Sequence, residues 1–288
     1  MSAQAPDRYA VIGHPVAHSR SPVIHALFAR QTGHSIDYGR LPAPPDGFLG
    51  AVEAFRREGG RGLNVTLPFK AEAFALADTR SARAQAAGAV NTLAFDGERI
   101  FGDNTDGAGL LRDVSRLGLD CAGARVLLLG AGGAARGVLH PLLDAGVRRI
   151  VVANRTAARA QALADAFGDA RITGCGLDAV APGGASAGEP FELLVNATSG
   201  GLADEVPPIA PMLLANARLC YDMVYAARPT AFVRAAAEAG CTRAVDGLGM
   251  LVEQAAESFF VWRGVRPDTG PVHAALRAAL DAEAANVA

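Results

Sequence analysis

The segment Leu127-Leu-Leu-Gly130-Ala131-Gly132-Gly133-Ala134-Ala135-Arg136 constrains the fold more than any other part of this 288-residue chain. It completes a continuous apolar run, Arg125-Val-Leu-Leu-Leu129, of the kind that forms a central strand in a parallel sheet, and it opens a helical pattern. The small residues fit Gly-x-Gly-x-x-Gly/Ala, with Ala135 in third place. Gly130 permits a tight turn, Gly132 lets the backbone approach a pyrophosphate, and Ala135 allows close packing of helix on strand. The helix N-terminus then offers unpaired N–H groups and a positive dipole end to phosphates. Alone, such a motif is also compatible with a plain strand–helix turn; its flanking strand and helix favour a dinucleotide.

The following strand, Arg149-Ile-Val-Val-Ala153, runs into Asn154-Arg155-Thr156. A site for NAD usually carries Asp or Glu here to bind the ribose 2′-hydroxyl. This chain has no acid there and offers Arg155, with Arg159 one helical turn further on. Two guanidinium groups suit a 2′-phosphate, so NADP is the expected cofactor; the other reading is a solvated helix start.

Short apolar runs alternate with helical patterns along the rest of the chain, which predicts an α/β fold. The length fits two domains at roughly 100–200 residues each. Strands are expected at residues 9–12, 61–65, 149–153, 191–195 and 218–222. A helix should open at Ser21-Pro22, with Ser21 as N-cap, and close at Gly33. Further helices are expected over 68–77, 106–117, 248–262 and 271–285. Residues 88–95 and 99–101 read as a hairpin around Asp96-Gly97, Pro141 should kink its helix, and 181–190 is a loose loop.

Composition excludes several classes. Half of the residues are apolar and 19% are charged, against disorder. A formal net charge of −2 gives no global reason to expect nucleic acid or an anionic membrane. No apolar run approaches the roughly 18 residues of a membrane span, and the first residues carry no secretory apolar region. Cys121, Cys175, Cys220 and Cys241 are scattered and read as reduced thiols, with no disulfide framework and no metal site. The cysteines point to a reducing cytoplasm; a small-molecule substrate and a monomeric or homodimeric state are the accompanying expectations.

Four polar constellations stand out. Ser19-Arg-Ser21 sets two hydroxyls on one side of an extended segment beside a helix start, where an anion could bind; for Ser21 taken alone, N-capping is the better reading. Asn64-Val-Thr66-Leu-Pro-Phe-Lys70 places Thr66 and Lys70 around a strand-to-helix junction. Asn91 is an amide in an otherwise apolar stretch, either a satisfied core group or a ligand contact. Gly102-Asp-Asn-Thr-Asp106-Gly107 is a dense polar turn, although a capping turn needs only one acid. Lys70 is also the single lysine among 27 Lys and Arg residues. It marks either a chance survival or a position where arginine fails, since lysine can release a proton and arginine effectively cannot.

In combination these stretches resemble the shikimate dehydrogenase family over essentially the whole chain. The matching segments are Ser19-Arg-Ser21-Pro22, Asn64 to Lys70, Gly88-Ala-Val-Asn91-Thr92, Gly102 to Gly107, the glycine-rich turn from Gly130, Asn154-Arg-Thr156, Asn196-Ala-Thr-Ser199, Tyr221-Asp-Met-Val-Tyr225 and Asp246-Gly-Leu-Gly-Met250 through Gln254. The resemblance implies NADP(H)-dependent, reversible reduction of 3-dehydroshikimate to shikimate, a step of aromatic amino acid biosynthesis. It implies a Rossmann-type domain over residues 106–246 and a discontinuous α/β substrate domain, 1–105 plus the C-terminal helices of 247–288, with the active site in the cleft. By the same resemblance Ser19 and Ser21 would hold the substrate carboxylate. Thr66, Asn91, Asp106, Tyr225 and Gln254 would surround the ring, and Lys70 with Asp106 would be the catalytic pair. Gly130, Ala131, Gly132, Gly133, Ala134, Asn154, Arg155, Thr156 and Arg159 would hold NADP, with Met223 and Gly247 near the nicotinamide.

The sequence departs from the family's usual pattern at His14, often Asn; at Ala226-Ala227, often Asn-Pro; and at Leu202, often Met. The nearest rival is a quinate/shikimate dehydrogenase of the same family, which would have to fit an extra hydroxyl by the Ser19/Ser21 loop. A non-catalytic NADP sensor would need no lysine–aspartate pair. A methylene-tetrahydrofolate dehydrogenase shares the domain plan but does not suit the serine loop or the Asp-Asn-Thr-Asp turn.

Overall fold

The apolar runs assemble into two separate six-stranded sheets, one in each of two units into which the chain divides. The computed structural model describes residues 5–198 and 205–286. Ser199 and Leu202, singled out above, lie outside the described residues, as do the first four. The first unit holds the described residues up to Gly109 together with Val252–Ala274, and the second holds Leu110–Leu251 and the chain from Ala275 onward.

The first unit contains β1 (Asp7–Gly13), α1 (Ser21–Thr32), β2 (Ile36–Pro42), α2 (Phe48–Arg57), β3 (Gly60–Val65), α3 (Lys70–Leu76), β4 (Thr79–Arg80), α4 (Ala82–Ala87), β5 (Thr92–Asp96), β6 (Arg99–Asp103) and the start of α5 (Asp106–Arg116). Its sheet has the order β2-β1-β3-β5-β6-β4. β1 is parallel to β2 and β3, whereas β5 is antiparallel to both β3 and β6. Ile12, Phe48, Leu63, Phe69 and Leu93 fill the core.

The second unit continues with β7 (Arg125–Leu129), α6 (Gly133–Asp144), β8 (Arg149–Asn154), α7 (Ala157–Phe167), β9 (Ile172–Gly176), β10 (Leu193–Asn196), α8 (Pro211–Asn216), β11 (Leu219–Asp222), α9 (Ala231–Glu238) and β12 (Ala244–Val245). The chain closes with α10 (Leu248–Arg263) and α11 (Gly270–Asn286). The second sheet is wholly parallel, in the order β12-β11-β10-β7-β8-β9. Its central strand explains the continuous apolar run. Val126 and Leu128 enter one buried cluster, Leu127 and Leu129 the other, so both faces are covered. Each such leucine contributes about 1.5–3 kcal/mol of burial.

In the first unit, α10 brings Trp262 onto Tyr9, with ring centroids 4.6 Å apart, and its indole N–H donates to the Leu93 carbonyl at 2.9 Å. Gly62 is required there, because a Cβ would lie 2.5 Å from the indole nitrogen.

Several boundaries differ from expectation. Ser21 is not the N-cap of α1. Arg20 takes that position in αR geometry, without a side-chain cap, so the helix starts one residue early and Ser21 is already inside it. The Ser19 hydroxyl accepts the Ser21 N–H instead, at 3.3 Å. α3 begins at Lys70, two residues after Pro68. Residues 88–91 are not strand, because Gly88 is the left-handed C-cap of α4. Asp96 pairs with Arg99, so the hairpin connection is Gly97-Glu98. Gly33 does terminate α1, at φ 69°. Among the described residues, no helix is long and apolar enough to cross a membrane.

Candidate active site

β3 ends at Val65, and the segment after it turns at Thr66 to deliver Lys70 as the first residue of α3. The turn is tight: a Cβ on Gly13 would strike the Thr66 methyl. Asp106 is likewise the first residue of its helix, α5. Lys70 Nζ donates to Asp106 Oδ2 at 2.6 Å, in a pair that is part-exposed, at 30% and 16%. Asn91 Nδ2 donates to Asp106 Oδ1 at 2.8 Å, so both carboxylate oxygens are held. The Asn91 oxygen accepts from the Thr105 N–H at 2.9 Å. Gln254 Oε1 accepts from Asn91 and from the Thr105 hydroxyl, each at 3.4 Å. Lys70, Asn91, Asp106 and Gln254 thus belong to one cluster.

A buried polar layer extends this cluster; sequence reasoning quotes Asn64 and Thr92 within their motifs without a role and does not single out Tyr38 or Ser258. Asn64 donates to the Ser258 hydroxyl at 2.9 Å and accepts from the Tyr38 hydroxyl at 2.7 Å. Ser258 also bonds Thr92 at 2.8 Å. One signal was available, since Gln254 and Ser258 are four apart on one helix face. Tyr38 stacks on His25, with centroids 4.2 Å apart. His25 is fully buried, neither ring nitrogen makes a hydrogen bond, and burial lowers its pKa to about 3.

Ser19 Oγ donates to Ser21 Oγ at 3.2 Å, which brings the two hydroxyls together. Arg40 donates to the Ser19 carbonyl at 2.7 Å and fixes the loop. Thr66 is half-buried. Beside Asp106, Asp103 is buried and accepts from Ser81, from Arg83 and from the Asn104 N–H. Burial opposes its charge, but the Arg83 guanidinium outweighs that and holds the carboxyl below the ordinary range.

In the second unit, Gly130 has φ 104°, a conformation that favours glycine, and a Cβ there would sit 3.1 Å from the Ala197 backbone. Gly132 is the N-cap of α6 and supplies no side-chain cap to the first N–H groups of the helix. Ala131 is half-buried, whereas Gly132, Gly133 and Ala134 are exposed. A Cβ on Gly132 or Gly133 would meet open space. Asn154 donates to the Thr156 carbonyl at 3.0 Å, and Arg155 and Arg159 stand exposed beside the uncapped start of α7. Gly247 donates to Val224 O, and a Cβ on it would strike the Met223 carbonyl, so Met223 and Gly247 are neighbours. Asp222 accepts from Asn196, from the Val224 N–H and from Thr230, bracing the loop that carries Met223 and the half-buried Tyr225. Burial raises the Asp222 pKa, and these donors offset it only in part. Among the described residues, no group of three or more His, Cys, Asp or Glu could hold a metal ion.

Comparison with known proteins gives consistent findings. The "Shikimate dehydrogenase substrate binding domain" model matches residues 11–93, the "Shikimate / quinate 5-dehydrogenase" model 114–184, and the "Shikimate 5'-dehydrogenase C-terminal domain" model 247–277. A protein of Aromatoleum aromaticum named shikimate dehydrogenase (NADP(+)) is 58% identical over 280 residues, covering 96% of this chain and 98% of its own. An Ael1 enzyme from Pseudomonas putida has a crystal structure similar at TM-score 0.88 and 48% identity, covering 94% and 98% of the two chains. Shikimate 5-dehydrogenase from Thermus thermophilus, crystallised in complex with NADP(H) and shikimate, is similar at TM-score 0.82 and 38% identity, covering 95% and 99%.

Proposed function

The chain belongs to the shikimate dehydrogenase family, and from that premise we propose how its own residues perform the family's reaction. The protein is an NADP-dependent oxidoreductase that reduces 3-dehydroshikimate to shikimate, reversibly, in the shikimate pathway. The observation that carries the catalytic reading is the 2.6 Å contact of Lys70 Nζ with an Asp106 carboxylate whose other oxygen is already held by Asn91.

The nucleotide fits the second unit's turn, where positive-φ Gly130, open space above Gly132 and Gly133, and an uncapped helix start leave room and donors for a pyrophosphate. Gly130, Ala131, Gly132, Gly133 and Ala134 would hold the phosphates, Asn154, Arg155, Thr156 and Arg159 the adenosine 2′-phosphate side, and Met223 and Gly247 the nicotinamide. NADPH held there would supply the hydride for the carbonyl carbon of the substrate. The oxyanion left there needs a proton, which Lys70 Nζ donates. Asp106 Oδ2 keeps the ammonium in place, and Asn91 keeps Asp106 from rotating away. The Ser19 and Ser21 hydroxyls bind the substrate carboxylate. Thr66, Asn91, Tyr225 and Gln254 contact the ring substituents.

With a net charge of −2, the only partner the reading requires is this small molecule. A cytoplasmic location and a monomeric or homodimeric state complete the proposal; light scattering on the purified protein checks the latter. The functional reading is tested by steady-state kinetics with shikimate and quinate, each with NADP⁺ and NAD⁺. Preference for shikimate with NADP⁺ supports it. Turnover of quinate with NAD⁺ at equal efficiency would overturn it.

A further inference from the structure

The turn that delivers Asp106 is held from behind by a chain of five charges, none of which the reaction uses. Arg83, on α4, sends Nε and Nη2 to Asp103 at 2.8 and 2.6 Å and Nη1 to Glu257 at 3.5 Å. Arg266 grips Glu257 with one nitrogen and Glu253 with the other. The Thr269 hydroxyl donates to Glu253 at 2.6 Å. The three carboxylate side chains are only 4–8% exposed.

Two arginines therefore serve three buried carboxylates, in the order Asp103, Arg83, Glu257, Arg266, Glu253. An arrangement of this kind is weak evidence for net stability, because desolvation offsets the attraction and an apolar replacement often does as well. What it supplies is fixed geometry, and its two ends are informative. At one end, Asp103 accepts the Asn104 N–H at 2.7 Å, and Asn104 in turn accepts the Asp106 N–H at 3.2 Å. At the other end, Glu253 and Glu257 lie one turn apart on α10, and Gln254 and Ser258 lie one turn apart beside them. The glutamates meet the arginines, while Gln254 and Ser258 meet Asn91, Thr92 and Thr105. Arg83 is hydrogen-bonded to both Asp103 and an α10 glutamate.

We propose that Arg83 is a positioning residue for the substrate site: by bridging Asp103 and Glu257 it sets Asp106 and Gln254 in register with each other. The proposal rests on the substrate site being the one described above. A lysine at position 83 keeps the charge but is a single point donor that cannot span both carboxylates as the planar fork does. Misplacement by about 1 Å costs on the order of 10²-fold in rate.

The test uses the full-length enzyme and three variants, Arg83→Lys, Glu257→Gln and Arg83→Met, with thermal midpoints measured alongside kinetics per folded molecule. Arg83→Lys is expected to lose about 5- to 100-fold in kcat/KM for shikimate, with the KM for NADP⁺ within about twofold of wild type. Glu257→Gln should show a smaller loss of the same pattern. If Arg83→Met does not fold, the other two decide. The inference is overturned if both retain kcat/KM for shikimate within about twofold, or if the shikimate and NADP⁺ constants deteriorate equally. A lowered thermal midpoint with unchanged constants also overturns it, since that marks a purely structural role. Wild-type enzyme in the same assay separates the two claims: failure to oxidise shikimate with NADP⁺ defeats the site reading itself, whereas normal wild-type turnover with unaffected variants defeats only the role of Arg83.

Discussion

The carboxyl ends of the two central strands do opposite things. After β7 in the second unit, the chain presents backbone: Gly130 in a positive-φ turn, uncapped helical N–H groups and open space where side chains would otherwise stand. After β3 in the first unit it delivers a side chain, Lys70, which is tied through Asp106 and Asn91 to Gln254 from other elements. A cofactor that carries its own charge and reactivity needs space and a few dipoles. A small polyol needs groups placed in advance, because its recognition and protonation depend on sub-ångström geometry.

The sharpest way to break this contrast is Lys70→Arg. If the first unit's edge works by a titratable group in fixed geometry, keeping the charge is not enough, and kcat should fall by about 10²–10⁴-fold. Turnover within about threefold of wild type, at the level of a surface substitution, would reduce Lys70 to a surface charge. Next in size is Arg155→Ala. Here the second unit departs from its backbone-only character, and one lost charge-assisted contact should raise the KM for NADP⁺ by about 10- to 150-fold while leaving that for NAD⁺ nearly unchanged. Equal losses with both cofactors would remove the 2′-phosphate assignment.

Two buried groups, one in each unit, should also answer acid with opposite signs. His25 is fully buried, with its pKa lowered to about 3. The unfolded chain takes up a proton near pH 6.5 and the folded one does not. Stability is therefore intact above about pH 6.5 and lost as pH falls, by about 2 kcal/mol between pH 7 and pH 5. Asp222 in the second unit has a raised pKa, so its contribution is fully present at low pH and is lost as pH rises through its folded value. Urea unfolding at pH 7 and pH 5 should show the first slope in wild type and its absence in His25→Phe; an identical slope in both would exclude His25 as the source.

The smallest effect belongs to the serine loop. Ser19 accepts the Ser21 N–H, so Ser19→Ala should cost about 0.5–1.5 kcal/mol in stability and also weaken shikimate binding. Ser21→Ala should act on binding with less effect on stability, the reverse of what an N-cap would give. Wild-type shikimate KM in the double variant would leave the loop a turn only.

What the sequence disclosed follows the same division. Residues 125–136 were readable because their chemistry is local: a strand buried on both faces must be continuously apolar, and the turn after it must be glycine. Lys70 stood out because it is alone among arginines. Ser21 was misplaced by one position because Arg20 adopts helical backbone angles that no residue preference announces. α4, Ser258 and Arg83 are not legible in the sequence, and Asn64 carries no role there, for a further reason. Arg83 is one of many arginines, and its partners lie 20 and 174 residues away, a distance over which one sequence carries no pairing signal. Asn64 and Ser258 meet across 194 residues.

Trp262 has a consequence for anyone who handles the protein. It is the sole tryptophan of the chain, and it is seated in the first unit against Tyr9 and the Leu93 carbonyl. Light absorbed selectively by indole is therefore emitted from the first unit alone, while the all-parallel sheet stays dark. Circular dichroism sees both sheets at once. Denaturation curves from the two signals will superimpose if the protein melts as one body and separate if it does not, so the natural sequence already carries the optical label with which the two halves can be followed apart.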